Sequence, residues 1–385
     1  MRQMALVGFL QAQNCSNYSF SWRHPDSRTD FTSPEFYAHI ARVLEEGKFQ
    51  MAFFDDRLGM PEYHGGDYGD AIENGIRCVK MDPMACLMPM AMATERLGLG
   101  ATMSTTYYEP FHVARAFQTF DLMTKGRGAW NIVTSLNDIE AANMGRDGSI
   151  DHDLRYDRAD EFVEVVLGHW DTWAEDALIV DKESRRFADA SKVKRLDHKG
   201  QYFKSRGPFT VPRSPQGHPV LIQAGQSGRG KRFGATWGEA IFVVYPNLEV
   251  GRKNYAELKA DCAALGRNPD QMKICHLINP IVAETRAEAE DKRAFTETLP
   301  IEADSLMLLS EALNFDFGSK PLDEPFTAEE LESMTGLQAM RDRVTDVKGP
   351  NPTIRDFIEV TERGRVRDPW VGSGKDIADK MEEFF

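Results

Sequence analysis

The chain has 385 residues, 42% of them hydrophobic, and a formal net charge of −14 at pH 7. That acidity argues against a nucleic-acid partner and against attraction to an anionic membrane surface, and no run of about 18 apolar residues marks a membrane span. The cysteines, Cys15, Cys78, Cys86, Cys262 and Cys275, are scattered, odd in number and outside any CxxC pair, which fits reduced thiols in a cytoplasmic protein.

The opening MRQMALVGFLQAQN reads as a first strand over residues 5–10 rather than a signal peptide, because no small-residue cleavage pattern follows. Ser33, Pro34 and Glu35 open a helix, with an N-cap serine and proline at the first helical position. Tyr37, Ile40, Ala41 and Leu44 share its inner face, and Gly47 ends it. Residues 50–54 form a second strand, which delivers Asp55 and Asp56 at its C-terminal end. Residues 84–96 read as a helix kinked at Pro89. A third strand, 97–106, ends in hydroxyls, and the helix 110–124 turns Val113, Phe117 and Phe120 inward. The fourth strand, 129–135, reads AWNIVTS, and an amphipathic helix spans 159–173. Strands at 220–224 and 240–244 flank a helix at 231–237. The helix 252–265 ends at Gly266, and a strand at 272–282 follows.

This is about seven β–α units, which implies a parallel sheet, either doubly wound or closed as a (β/α)8 barrel. Polar groups recur at strand C-termini: Asp55 and Asp56, Ser104 and Thr105, Thr134 and Ser135, Ser227. A barrel gathers all of them around one mouth; a doubly wound sheet gathers only a switch-point pair. The reading is therefore one TIM-barrel domain over residues 1–385. Insertions at about 55–80, 174–216 and 284–352 break the alternation, and loops of such length after a strand act as lids or substrate walls.

The segment VLIQAGQSGRG, from Val220 to Gly230, joins a strand to a helix through a glycine loop. Backbone N–H groups in such a loop hold a phosphate; an ordinary βα turn has the same composition. The Walker and dinucleotide fingerprints are absent. No histidine pair stands at metal-ligand spacing, so no metal is expected. No GxSxG elbow occurs, and Cys15 has no identifiable base. His24, in SWRHPD, sits beside Trp22, Arg23 and Asp26; it reads as a group titrating near neutrality or as a loop histidine packed on the indole. His152 and Tyr156 are four apart and share a helix face with Arg155 and Arg158 nearby. That face closes over an anion, or it is a solvated cap in which Asp151 and Asp153 meet the helix dipole. One phosphate cradle, neutral donors and aromatic walls suit a mononucleotide with a large planar ring, a flavin rather than a nicotinamide dinucleotide. Asn131 and Gln223 are candidates for its ring or ribityl groups.

The runs MAFFDDRLG, LGLGATMSTTYYEPFHVARAFQTFDLMTKGRGAWNIVTSLNDIEAANMG, DHDLRYDRADEFVEVV and VLIQAGQSGRGKRFGATWGEAIF resemble the bacterial-luciferase-like monooxygenases, in the branch holding nitrilotriacetate and dibenzothiophene sulfone monooxygenases. The likeness covers roughly residues 4–282. It implies a barrel that uses reduced FMN and O2, with a separate NAD(P)H:flavin reductase supplying FMNH2. A flavin C4a-(hydro)peroxide then oxygenates a small organic substrate and leads to C–N or C–S cleavage. Carried over by motif, Asp56 lies near the isoalloxazine, with Thr102, Asn131 and Ser135 along the ring. His152 and Tyr156 reach the ribityl chain and phosphate, and Ser227 and Gly228 hold the phosphate. His24 is the catalytic candidate, with Phe9, Trp22 and Tyr108 on the substrate side. Family members are dimers or tetramers. The rival readings are a coenzyme F420-dependent oxidoreductase of the same superfamily and a non-catalytic flavin-binding barrel.

Two departures stand out. The sulfone-cleaving pattern has a histidine in the loop aligned with residues 309–314, where this chain reads LSEALN; that counts against a desulfurising role. The family also continues through a last strand and helix beyond SGKDIADKMEEFF, so seven of eight barrel strands are expected here and the last is expected to be missing.

Overall fold

A computed structural model of the chain describes residues 4–135, 137–148, 150–225, 228–367 and 369–385. Its main sheet is built from seven short runs: β1 (Val7–Leu10), β2 (Met51–Phe54), β3 (Gly98–Ser104), β4 (Gly128–Val133), β5 (Val220–Gln223), β6 (Ala240–Val243) and β7 (Lys273–His276). Each strand pairs in parallel with its neighbours in sequence, from β1 through to β7. Parallel pairing of successive strands needs a crossover. The crossovers are α1 (Pro34–Glu46), α2 (Pro83–Ala93), α3 (Pro110–Met123), α4 (His152–Trp170), α5 (Gly228–Trp237) and α6 (Leu248–Ala264). A doubly wound sheet reverses its strand order at a switch point; this order never reverses, and the sheet curls into a nearly closed barrel as expected. Among the described residues no strand bridges β7 back to β1.

Two boundaries differ from the sequence reading. The helix expected at 159–173 begins at His152, because the Asp151 carboxylate accepts the N–H groups of Asp153 (3.0 Å) and Leu154 (3.2 Å) and caps it. The strand expected over 272–282 is two strands. After β7 the chain leaves the barrel, and Pro280–Ala283 pairs in parallel with Trp370–Ser373. Pro280 has no N–H for a ladder. The Asn279 carbonyl just before it accepts the Trp370 N–H at 2.9 Å, which starts the new pairing.

Period-two alternation sorts the side chains. Val7, Phe9, Met51, Phe53, Ala129, Val220, Ile222, Ala240 and Phe242 pack together inside the barrel. Phe54, Trp130 and Leu221 point outward into the layer shared with the helices. The lumen is thus filled by side chains. Phe53 stacks on Phe9 at 5.4 Å and meets Phe242 at 4.8 Å, giving the mouth an apolar floor.

The three long segments have their own structure. Residues 284–352 contribute the helix Glu302–Leu313 and, with the helix Ile354–Thr361 that follows, a second core in which Phe317, Phe326 and Phe357 pack edge to face, 5.3 to 5.6 Å apart. Residues 55–80 carry the helix Gly69–Asn74. Ala71 and Ile76 bury themselves against Met307 and Leu308, so this segment and the helix Glu302–Leu313 support each other. Residues 174–216 run from the end of α4 to the start of β5 as two exposed hairpins. They hold to α4 through Glu161, which accepts the N–H groups of Tyr202 (2.9 Å) and Phe203 (2.8 Å). The Gln216 amide reaches the carbonyl of Gly128, the first residue of β4, at 3.0 Å. The expectation of a lid fails for this third segment: an α-to-β connection lies toward the strand N-termini, away from the mouth.

Candidate functional site at the barrel mouth

β3 and β4 place Thr102 and Asn131 opposite each other, both buried and both pointing inward, one step above the aromatic floor. The Thr102 hydroxyl donates its proton to the Phe54 carbonyl at 2.9 Å. It must therefore accept from the Asn131 amide nitrogen, 2.8 Å away. This fixes the amide orientation and leaves Asn131 Oδ1 buried without a partner. An unsatisfied buried acceptor costs about 1–3 kcal/mol, and a ligand N–H removes that cost.

At the end of β4, Ser135 takes a left-handed backbone, φ 49°, which a non-glycine residue adopts only when its surroundings impose it. They do: Ser135 Oγ donates to Ser104 Oγ at 2.9 Å, and the Thr105 N–H bonds the Val133 carbonyl at 2.9 Å. The hydroxyls foreseen at these strand ends are thus locked in place.

Asp56 follows β2. Burial pushes its carboxyl up to about 7, against the Arg57 N–H it accepts at 2.8 Å and the nearby Lys80 charge. Burial also pushes the Tyr108 phenol up to about 12, and the Asp56 charge is the next largest contribution. These two residues therefore lie within electrostatic reach of each other. Asp56 holds its proton more tightly in the fold than its ordinary 3.8. Its favourable contribution is therefore fully present below pH about 4 and is lost as pH rises through about 7. Asp56→Asn is expected to gain stability relative to the wild type between pH 4 and 8; a difference in unfolding free energy that stays flat with pH would remove this assignment.

The glycine loop runs between β5 and α5. A Cβ on Gly225 would lie 2.2 Å from Gln223 Nε2, 2.8 Å from Tyr156 Oη and 3.1 Å from the Gly230 Cα. Only glycine fits, and Tyr156 from α4 presses on the loop. Gly228, the first residue of α5, faces open space, so the helix N-terminus is accessible. Ser227 lies outside the described residues. Arg229 bridges Asp157 (3.0 Å) and Asp160 of α4 and covers the Tyr156 ring at 5.5 Å, holding the two helix starts side by side. His152 is exposed, with its ring 5.1 Å from Tyr156. Arg158 spends its guanidinium on the carbonyls of Thr105 and Thr106. Gln223 faces α5 beneath the loop, its Oε1 2.7 Å from a Cβ position on Gly234; it is not in the lumen where a flavin ring would meet it.

The structure does not bring the first loop into this group. His24 accepts the Asp26 N–H at 3.1 Å and meets Phe295 edge-on at 5.2 Å. It lines a cavity of about 230 Å³ with Tyr18, Phe20 and Leu299. Trp22, 41% exposed, donates to the Asn74 carbonyl at 3.0 Å. Neither makes a hydrogen bond, ion pair or ring contact with a strand-end residue. Phe9 belongs to the floor. Sequence reasoning passed over Arg57, whose neighbour Asp56 was the available signal. It also passed over Arg77, Glu311 and Arg363, which carry no local signal.

The luciferase-like monooxygenase family matches residues 17–385. The chain is 40% identical to dibenzothiophene-sulfone monooxygenase of Rhodococcus erythropolis, over 100% of this chain and 86% of that protein. It is 36% identical to nitrilotriacetate monooxygenase component A of Aminobacter aminovorans, over 100% and 85%. Among solved structures, riboflavin lyase with modified FMN and its substrate riboflavin superposes with a TM-score of 0.88 at 30% identity, covering 100% of this chain and 84% of that one. A match across nearly the whole chain, with an inward Thr–Asn pair and a glycine loop on a barrel of this strand order, has one outcome: the chain belongs to the luciferase-like monooxygenase family and is a monooxygenase enzyme.

Proposed function

We propose that this chain is the oxygenase of a two-component system that uses reduced FMN and O2 to oxygenate a small organic substrate, leading to C–N or C–S cleavage. The observation that carries this reading is the unsatisfied Asn131 Oδ1 above an apolar floor, on the strand beside the one that leads into the glycine loop and an open helix N-terminus. A planar ring with its own N–H groups suits the first, and a phosphate suits the second. Bound FMN in its reduced form supplies two electrons, so that one oxygen atom of O2 enters the substrate and the other leaves as water.

The chain's own residues do the rest. The loop 225–230 and the first N–H groups of α5 take the phosphate, with Tyr156 and His152 beside it. Asn131 accepts from the ring while Thr102 holds the amide in place. Ser135 presents its hydroxyl along the same edge. Asp56, with its carboxyl pushed up to about 7, exchanges a proton readily near neutral pH and is the group placed to transfer one at the reacting face, with Tyr108 within electrostatic reach. Phe9, Phe53 and Phe242 close the floor to water, which protects the reaction from wasteful discharge. We read residues 1–385 as one barrel domain in which the segments 55–80 and 284–352 wall the mouth. An NAD(P)H:flavin reductase is the partner, the chain assembles as a homodimer or homotetramer, and the free cysteines support a cytoplasmic location.

The test is O2 uptake. With FMN, NAD(P)H and a flavin reductase, product that carries label from 18O2 is expected for an accepted amine or thioether; without the reductase, none. Substrate reduction by the reduced coenzyme F420 under anaerobic conditions would replace this reading with its rival.

A further inference from the structure

Three guanidinium groups lie within electrostatic reach of one another, the first of them directly after Asp56. Arg57 follows β2, Arg77 closes the segment 55–80, and Arg363 follows the helix Ile354–Thr361. Arg77 lies within electrostatic reach of both others, and Arg363 within reach of Arg57. Arg57 has an ion-pair partner, Glu311 of the helix Glu302–Leu313. Its Nη1 and the Nε of Arg77 are nonetheless buried without a hydrogen-bond acceptor. Among the described residues, Arg77 and Arg363 make no side-chain hydrogen bond or ion pair. Their positions are firmly held. Arg77 stands at φ 52°, and its backbone N–H reaches the Cys15 thiol. Gly364 abuts the backbone of Asp304 and Ser305, 2.5 and 2.6 Å from its Cβ position.

Burial lowers the proton affinity of Arg57 and Arg363, and neighbouring cations lower it further. Charges gathered in this way destabilise the fold unless something neutralises them. Glu311, Asp55 and Glu140 offset the charge of Arg57, yet among the described residues no carboxylate pairs with Arg77 or Arg363. We propose that Arg77 and Arg363, with the free nitrogen of Arg57, form the recognition site for a carboxylate carried by the substrate. This rests on the monooxygenase reading of the mouth and deepens it: the substrate is a small organic anion, not a neutral hydrocarbon or sulfide. The planar fork of a guanidinium matches a carboxylate in a bidentate fashion, and a site next to Asp56 holds that end of the molecule beside the reacting face.

The test titrates succinate and its uncharged analogue succinamide into the wild type, Arg77→Gln and Arg363→Gln, with FMN affinity measured on the same samples. Succinate is expected to bind the wild type, to bind each variant at least about 10-fold more weakly, as expected for loss of a charge-assisted contact, and to weaken with added salt. Succinamide is expected not to bind, and FMN affinity to stay unchanged. Arg77→Lys, which keeps the charge but not the fork, should recover part of the loss. Equal binding of succinate and succinamide, or wild-type-like succinate binding in both variants, overturns the proposal. So does a loss of FMN affinity in the variants, which would assign the arginines to the cofactor. Arginine-dependent succinate binding in a protein that fails to bind FMN would uphold the anion site and sink the flavin reading instead.

Discussion

Gly225→Val is expected to abolish useful FMN binding while leaving the barrel folded. The first atom of any side chain at this position would sit 2.2 Å from Gln223 Nε2 and 2.8 Å from Tyr156 Oη. The amide of Gln223 can swing aside, but the Tyr156 ring is wedged against Phe233 at 5.5 Å and under Arg229. The Gly230 Cα, 3.1 Å away, is backbone of α5 itself. The loop must therefore move, and the N–H groups proposed to take the phosphate move with it. Loss or misdirection of one or two hydrogen bonds to a charged group, at about 1.5–3 kcal/mol each, corresponds to a Kd weaker by about 100-fold at 1.4 kcal/mol per decade. Fluorescence titration of FMN measures it. Wild-type affinity in the variant would remove the phosphate from this loop, whatever the family resemblance.

The other large effect lies one residue from the site and belongs to stability. Trp130 is fully buried on the outer face of β4, between Phe117 (5.8 Å), Phe162 (6.0 Å) and Trp170 (6.5 Å). Its indole N–H satisfies the Met103 carbonyl at 3.0 Å. Trp130→Ala is expected to destabilise the protein by about 3–5 kcal/mol, the range for removing a buried aromatic side chain, and it leaves that carbonyl unpaired. Asn131→Ala, on the inner face of the same strand, should instead weaken flavin binding with a much smaller change in the urea midpoint. Denaturation curves of the two variants separate the roles, and similar midpoints would contradict the alternation.

The strand AWNIVTS and its polar end were legible, but which face turns inward, Asn131 among small residues or Trp130 with Ile132, was decided by the packing. The aspartates after β2 and the hydroxyls after β3 and β4 were legible for the same reason, since a parallel strand that ends in polar groups presents them at the barrel rim. The glycine loop was recognisable as a tight turn, but its phosphate reading needed Tyr156, which sequence spacing could place on a helix face and not against Gly225. His24 shows the opposite limit. Its flanking Trp22, Arg23 and Asp26 suggested an active group, yet Arg23 reaches Asp304 at 2.5 Å and Trp22 reaches the Asn74 carbonyl. The first loop is thereby stapled to the two neighbouring segments, and His24 turns toward Phe295.

Local chemistry was enough for the parallel barrel, the order of its units and the polar rim. Periodicity, caps and glycine positions act over a few residues, and all of these features follow from them. Tertiary structure alone decided which long segments cover the mouth. It also turned Gln223 toward α5 rather than into the lumen and split the strand after β7 at Pro280. Above all, it brought Arg57, Arg77 and Arg363 within electrostatic reach of one another from parts of the chain as much as about three hundred residues apart. Such a gathering depends on which buried faces find each other, Ala71 and Ile76 against Met307 and Leu308, and no short-range pattern records that choice.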